Sequence, residues 1–184
     1  MHKIYITAQE LLESSFKLAH KIFEDGFRPQ FIVGIWRGGA PIGIAVQEYF
    51  EYREVSTDHI SVRTSSYYGI GKQSREIKVH GLHYLLENAN AGDGLLIVDD
   101  VFDSGRSVEA LIKEIKSQAR LNTPQDIRVA CSWYKPGMRA VDIEPDYFIH
   151  QSDDWLVFPH ELFGLTKEEI AEGKTDLKNI LDLF

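Results

Sequence analysis

The sequence predicts an α/β fold, a mainly parallel central sheet flanked by helices. Three observations predict it. The runs Phe31-Ile32-Val33-Gly34-Ile35 and Leu95-Leu96-Ile97-Val98 are continuously apolar, as strands covered on both faces are. Segments with apolar residues at helical spacing alternate with such runs. Glycines follow both runs closely, at the strand ends where parallel sheets receive ligands.

The elements follow in order. Thr7 and Glu10 have capping-box spacing, so a helix begins at Thr7. Leu11, Leu12, Leu18, Ala19, Ile22 and Phe23 continue it at helical spacing, and Gly26 stops it. The strand 31–35 is followed by Gly38-Gly39 and a helix from Pro41 to about Tyr49, since proline suits a first helical turn. A strand lies near Ile60-Ser61-Val62. Residues 65–75, with Gly69 and Gly71 and few aliphatics, read as a loop, and Ile77-Lys78-Val79 as a strand after it. Beyond Leu95–Val98, a helix over 107–119 buries Val108, Leu111, Ile112 and Ile115. Ile127–Cys131 and Asp146–Ile149 are further strands. Thr166 and Glu169 form a second capping box, opening one of two short C-terminal helices.

Length and charge bound the function. The chain has 184 residues and a net charge of −8. That length fits one domain with a core of its own. Twenty Lys+Arg against 28 Asp+Glu lacks the surplus of cations that a non-specific grip on nucleic acid needs. No signal-peptide stretch opens the chain and no apolar run is long enough to span a membrane. One cysteine, Cys131, forms no internal bridge and lies in an apolar run, which predicts a buried, inert thiol in a reducing cytoplasm. His80 and His83 are the only close histidine pair, and with no further ligand nearby a zinc site is not expected.

The chemistry concentrates after Val98. The run Asp99-Asp100-Val101-Phe102-Asp103-Ser104-Gly105-Arg106-Ser107 joins a buried strand to a helix through three carboxylates, a glycine turn and two hydroxyls. A helix N-terminus offers free N–H groups and partial positive charge to a phosphate. Gly105 lets the backbone come close, and Ser104 and Ser107 add donors. The spacing is not that of a P-loop. Asp99 and Asp100 would repel a phosphate, but they suit vicinal hydroxyls or Mg²⁺. A phosphate cradle beside paired acids fits a sugar phosphate.

This run resembles the signature of the type I phosphoribosyltransferases, which bind 5-phosphoribosyl-1-pyrophosphate (PRPP). The resemblance covers roughly residues 30–162 and looks closest to the bacterial purine enzymes. It implies a single domain over residues 1–184, with a core of about 30–150. A small hood over the base would come from 151–184 and the N-terminal segment. It implies that Asp99 and Asp100 hold the ribose hydroxyls. Asp103, Ser104, Gly105, Arg106 and Ser107 would wrap the 5′-phosphate. Trp36-Arg37-Gly38, after the first core strand, resembles the pyrophosphate loop. Family members commonly carry a non-proline cis peptide there, expected here at Trp36–Arg37. Residues 65–81 resemble the family's flexible catalytic loop, with Ser66 and Tyr67 over the pyrophosphate. Such a lid would keep an oxocarbenium-like centre from water.

The resemblance also implies a 6-oxopurine as the acceptor. Asp103 occupies the position that purine enzymes use beside N7 of the base. Lys135, in Trp133-Tyr134-Lys135-Pro136, resembles the lysine that donates to the exocyclic oxygen at C6. Trp155 and Leu156 resemble the pair that closes the pocket, Trp155 by stacking and Leu156 by its backbone. Asp99 and Asp100 would serve Mg²⁺. Glu161 falls where relatives carry an acid near a second Mg²⁺, although aspartate is more usual there. Asp103 and Arg37 would carry the chemistry, Asp103 at the base proton and Arg37 at the leaving pyrophosphate. Relatives are homodimers or homotetramers. The alternatives are a transferase for another base, or a PRPP-sensing regulator without turnover.

Overall fold

The computed structural model describes residues 3–67 and 76–183. In chain order the elements are β1 (Lys3–Tyr5), α1 (Ala8–Glu24), β2 (Phe31–Trp36), α2 (Gly39–Tyr52), β3 (Asp58–Tyr67), β4 (Glu76–His80), α3 (His83–Asn88), β5 (Gly94–Phe102), α4 (Arg106–Ala119), β6 (Asp126–Tyr134), β7 (Tyr147–Gln151), β8 (Trp155–Val157) and α5 (Lys167–Gly173). Short 3₁₀ turns cover Arg120–Asn122, Pro136–Met138 and Thr175–Leu183.

Six strands form one sheet in the order β4-β3-β2-β5-β6-β7. All neighbours are parallel except the β3–β4 pair. A second, two-stranded sheet pairs β1 with β8 in parallel, Lys3 opposite Trp155 and Ile4 opposite Leu156. The N-terminal strand therefore meets the C-terminal part of the chain.

Alternation along the central strands sorts the core into two layers. Ile32, Leu96, Val98 and Ala130 face one side and pack with Leu18 and Ile22 of α1 and with Ile42, Val46 and Phe50 of α2. Val33, Ile35, Leu95, Ile97, Val129 and Cys131 face the other, against Leu85 of α3 and Leu111 and Ile115 of α4. Each strand residue is buried on one side or the other, so the run is apolar without a break. Cys131 is fully buried, and burial pushes its thiol well up from the ordinary range.

Local signals explain the ends of the elements. Thr7 caps α1 with Glu10 in a complete capping box, and Thr166 caps α5 with Glu169 in the same way. The second helix starts at Gly39, two residues before Pro41, and runs to Tyr52. Strands β3 and β4 extend to Tyr67 and from Glu76 because they pair with each other, Ser66 opposite Ile77. The expected loop thus gives up residues 65–67 to a strand, and its remainder at 68–75 lies outside the described residues. His80 ends β4 and His83 opens α3, so the two do not share one helix face. Strands β1 and β8, three residues each, and the six-residue α3 are not foreseen by sequence periodicity; they are too short to show a period.

Candidate active site

Parallel strands put their carboxyl ends on one edge of a sheet, and three of these ends build the site. β2 ends at Trp36, β5 at Phe102 and β6 at Tyr134. Gly34 of β2 pairs with Val98 of β5, and Phe102 of β5 with Tyr134 of β6. Arg37-Gly38, the acids of β5 and Lys135 are brought together by this register. The Lys135 backbone N–H donates to the Phe102 carbonyl at 2.9 Å, which seats Lys135 beside Asp103.

Asp99 and Asp100 are the sixth and seventh residues of β5, still within the strand. The Asp99 carboxylate accepts the Asp100 N–H at 3.0 Å, and the Asp100 carboxylate accepts the Val101 N–H at 2.8 Å. Desolvation pushes the Asp99 carboxyl well up from its usual range, and the neighbouring Asp100 charge pushes the same way. Asp100 is buried and Asp99 partly buried, and both carboxylates are oriented by backbone N–H groups.

The loop after β2 lies directly on these acids. A Cβ on Gly38 would sit 1.8 Å from Asp100 Oδ2, and one on Gly39 would sit 2.2 Å from the Val98 carbonyl oxygen. Only glycine permits that approach. The Trp36–Arg37 peptide is cis, at the bond where the sequence resemblance places it. Trp36 and Arg37 are exposed, so the guanidinium can reach an anion held over the loop.

The turn from β5 into α4 forms a small cavity of about 70 Å³ lined by Asp99, Asp103, Ser104, Gly105 and Ser107 among others. Gly105 has φ +75, and a Cβ there would meet Val141 and Phe102 at 2.5–2.6 Å. Its left-handed backbone turns the strand into the helix and leaves the helix N-terminus uncapped by any side chain, open to an anion. Thr64 Oγ1 of β3 lies 3.4 Å from Ser107 Oγ. Arg106 is exposed on the first turn of α4.

A second cleft of about 330 Å³ shares lining residues with this cavity. Asp103 lines both. The same cleft collects Lys135, Trp155, Leu156, Glu161 and Asp100. Trp155 is 53 % exposed and Leu156 buried, as an aromatic shelf on an apolar floor requires. Six of the site residues expected from sequence, Asp100, Asp103, Lys135, Trp155, Leu156 and Glu161, thus line one concavity. Ser66 stands instead on the exposed β3–β4 ribbon, three residues beyond the last β3 residue that pairs with β2. The backbone of Tyr67 ends β3.

A metal fits part of this arrangement. Asp99 and Asp100 are hard oxygen donors, and Mg²⁺ is usually held by one or two carboxylates together with substrate phosphates and water. Among the described residues no group of three or more His, Cys, Asp or Glu side chains converges to hold a metal ion. Glu161 therefore does not complete a shared cage with the pair. Its carboxylate closes its own turn by accepting the Phe158 N–H at 3.1 Å.

Sequence reading misses several residues here. His160 Nε2 stands 3.5 Å from Asp100 Oδ2 and its ring stacks on Phe158 at 5.8 Å. Lys3, Val101, Phe163, Gly164 and Leu165 also line the larger cleft. Lys3 arrives there only through the β1–β8 pairing, which no local pattern announces.

A six-stranded, mostly parallel sheet with a glycine turn from β5 into α4, a glycine loop over paired acids and a separate β1–β8 pair is a type I phosphoribosyltransferase fold. The family model of the phosphoribosyl transferase domain matches residues 4–162, and the chain belongs to that family. A hypoxanthine-guanine phosphoribosyltransferase of Lactococcus lactis is 30% identical over 174 residues, covering 92% of this chain and 85% of that protein. The purine phosphoribosyltransferase of Pyrococcus horikoshii superposes with a TM-score of 0.70 at 25% identity, over 90% of this chain and 99% of that one. The xanthine-guanine-hypoxanthine phosphoribosyltransferase of Helicobacter pylori shares the fold, with a TM-score of 0.69 at 18% identity over 98% and 99% of the two chains.

Proposed function

We propose that the protein is a purine phosphoribosyltransferase, which moves the 5-phosphoribosyl group of PRPP to N9 of a 6-oxopurine and releases pyrophosphate with inversion at C1. One observation carries this reading: Asp103 lines both the phosphate turn and the cleft of Lys135 and Trp155. A single carboxylate thus links the sugar phosphate to the base.

Asp99 and Asp100 accept hydrogen bonds from the ribose hydroxyls. The turn from Asp103 to Ser107 binds the 5′-phosphate through backbone N–H groups and hydroxyls. Arg37, with the amides of the Trp36–Gly38 loop, offsets charge growing on the departing pyrophosphate. Ser66 and Tyr67 belong to the ribbon that would cover it. When bound at the acid pair, Mg²⁺ supplies positive charge to the same leaving group. Asp103 accepts the proton of the base, which makes N9 more nucleophilic. Lys135 donates to O6, Trp155 stacks on the ring and Leu156 presents its backbone to the base edge. Glu161, as a second metal ligand, would share a carboxylate that already serves the Phe158 N–H.

A homodimer or homotetramer in the cytoplasm completes the reading. An apolar groove between α1 and the start of α2, lined by Leu11, Leu12 and Pro41, supports self-association. Among the described residues no helix is long and apolar enough to cross a membrane.

Pyrophosphate release from PRPP and Mg²⁺, measured against hypoxanthine, guanine, xanthine, adenine and uracil, tests the assignment. Turnover is expected with oxopurines and not with adenine or uracil. Turnover confined to uracil, or absent with all five bases, would refute it.

A further inference from the structure

We propose that Lys3, held in place by Glu169, reads the C2 position of the base and makes xanthine the preferred 6-oxopurine; this rests on the transferase reading above. Among the described residues, five charged side chains line the base cleft: Lys3, Asp100, Asp103, Lys135 and Glu161. In that reading Asp100 serves the sugar, Asp103 the imidazole edge and Lys135 the C6 oxygen. Glu161 is tied to its own turn. Lys3 alone is left without a role.

Its placement supplies one. Lys3 stands opposite Trp155 in the β1–β8 register, beside the ring on which the base stacks. Its ammonium is anchored by a hydrogen bond and ion pair to Glu169, the residue that closes the capping box of α5. An ammonium carries three N–H donors and no acceptor; among the described residues Lys3 donates only to Glu169, which leaves two donors for the cleft it lines. Once the N7 edge and O6 are engaged, the exocyclic position remaining on a 6-oxopurine is C2. Xanthine presents an oxygen there, which accepts. Guanine presents an amino group, which donates and opposes a second donor. Hypoxanthine presents only a C–H.

Two backbone carbonyls beside the cleft that would suit an amino group are already engaged. The Phe158 carbonyl accepts from the buried Lys174 Nζ and from the Glu161 N–H at 3.0 Å. The Val157 carbonyl accepts the Ile6 N–H at 3.0 Å. Glu169 and Lys174 both lie past residue 162, where the family match ends. The C-terminal tail therefore shapes this end of the cleft, holding one donor in and drawing one acceptor away.

The test is steady-state kinetics of the full chain with saturating PRPP and Mg²⁺. The expected order of kcat/KM is xanthine, then hypoxanthine, then guanine. Lys3→Met should cut kcat/KM for xanthine at least about tenfold while hypoxanthine changes less than about threefold, because a lost donor is felt only by the group it faced. Glu169→Gln, which keeps the shape of the anchor, should lower the xanthine-to-hypoxanthine ratio in the same direction and serves if Lys3→Met does not fold. A wild-type preference for guanine, or a loss shared equally by all three bases, would overturn the role of Lys3. Failure of the wild type to use any of the three would overturn the transferase reading beneath it.

Discussion

Asp103 occupies the junction of two clefts, and its neighbours decide what its carboxylate can do. It follows β5 directly and faces both the helix-α4 turn and the Lys135 side. Asp103→Asn keeps the size and a hydrogen-bonding end but cannot take up the base proton. It is expected to lower kcat by about 10²-fold, the lower range for a lost general base, with KM for PRPP nearly unchanged. Unaltered turnover in a single-turnover assay would remove Asp103 from the chemistry. Lys135→Ala removes the donor proposed for O6 and is expected to erode the preference for hypoxanthine over adenine by tenfold or more, on the order of a lost specific hydrogen bond. Equal effects on both bases would leave Lys135 a structural residue. These two, with Asp99, Asp100 and the phosphate turn, are legible in sequence because the motif is contiguous and its chemistry local. His160 and Lys3 are not. His160 reaches Asp100 from sixty residues away in sequence, and Lys3 reaches Trp155 from more than a hundred and fifty. Proximity of that kind is a product of topology.

Elements show the same division. The long apolar strands and the capped helices are written in local pattern, and Thr7–Glu10 and Thr166–Glu169 fold as their spacing dictates. What local pattern misses is set by pairing: the full length of β3 and β4, and the existence of β1 and β8. The β2–α2 loop falls between these cases. Its glycines are visible, but the reason for them is the acid strand beneath. Gly38→Ala would place a methyl group 1.8 Å from Asp100 Oδ2. The carboxylate and the loop cannot both keep their places, so Asp100 must rotate or the loop must lift, and the proposed contacts to the sugar or the pyrophosphate are lost with them. Either outcome should raise KM for PRPP at least about tenfold, as loss of positioned substrate contacts does. The core strands are untouched, so the melting temperature should move by only a few degrees. A variant with wild-type KM for PRPP would show that the close approach has no part in substrate binding.

At the scale of the whole molecule, one sheet separates two helix layers, and the N-terminal strand closes on the C-terminal part of the chain beside the cleft. The two-layered sheet is legible from the unbroken apolar runs, and the closure of β1 on β8 only from the fold. His150 sits where these parts meet. It belongs to β7, its ring stacks on Trp133 of β6 at 4.5 Å, and Nε2 lies 2.8 Å from Ser14 Oγ of α1. Ile4, Tyr5 and Ile6 line the same small cavity, together with Glu10, Glu13 and Lys17. Desolvation lowers the His150 pKa below its ordinary value, Lys17 lowers it further, and Glu10 opposes them. A histidine with a depressed pKa in the folded state takes up its proton more readily once the chain unfolds. Between the folded value and the unfolded value of about 6.5, the unfolded chain binds more protons, so stability falls as pH is lowered through that window. Above about pH 7 the group is neutral in both states and contributes no slope. His150→Gln retains a hydrogen-bonding end toward Ser14 and removes the titration. The melting temperature of the wild type minus that of His150→Gln should therefore be constant from pH 7 to 8 and decline as pH falls from 6.5 toward 5. Taking the difference cancels the carboxylates, including Asp99, whose raised pKa acts with the opposite sign. Fluorescence of the stacked Trp133 in the folded chain offers a second readout, changing at the lower end of that window, where folded His150 takes up its proton, in the wild type and not in the variant. A difference in melting temperature that stays flat from pH 8 to 5 would mean that His150 titrates alike in the folded and unfolded chain, and that its burial between α1 and β6 does not disfavour its charge.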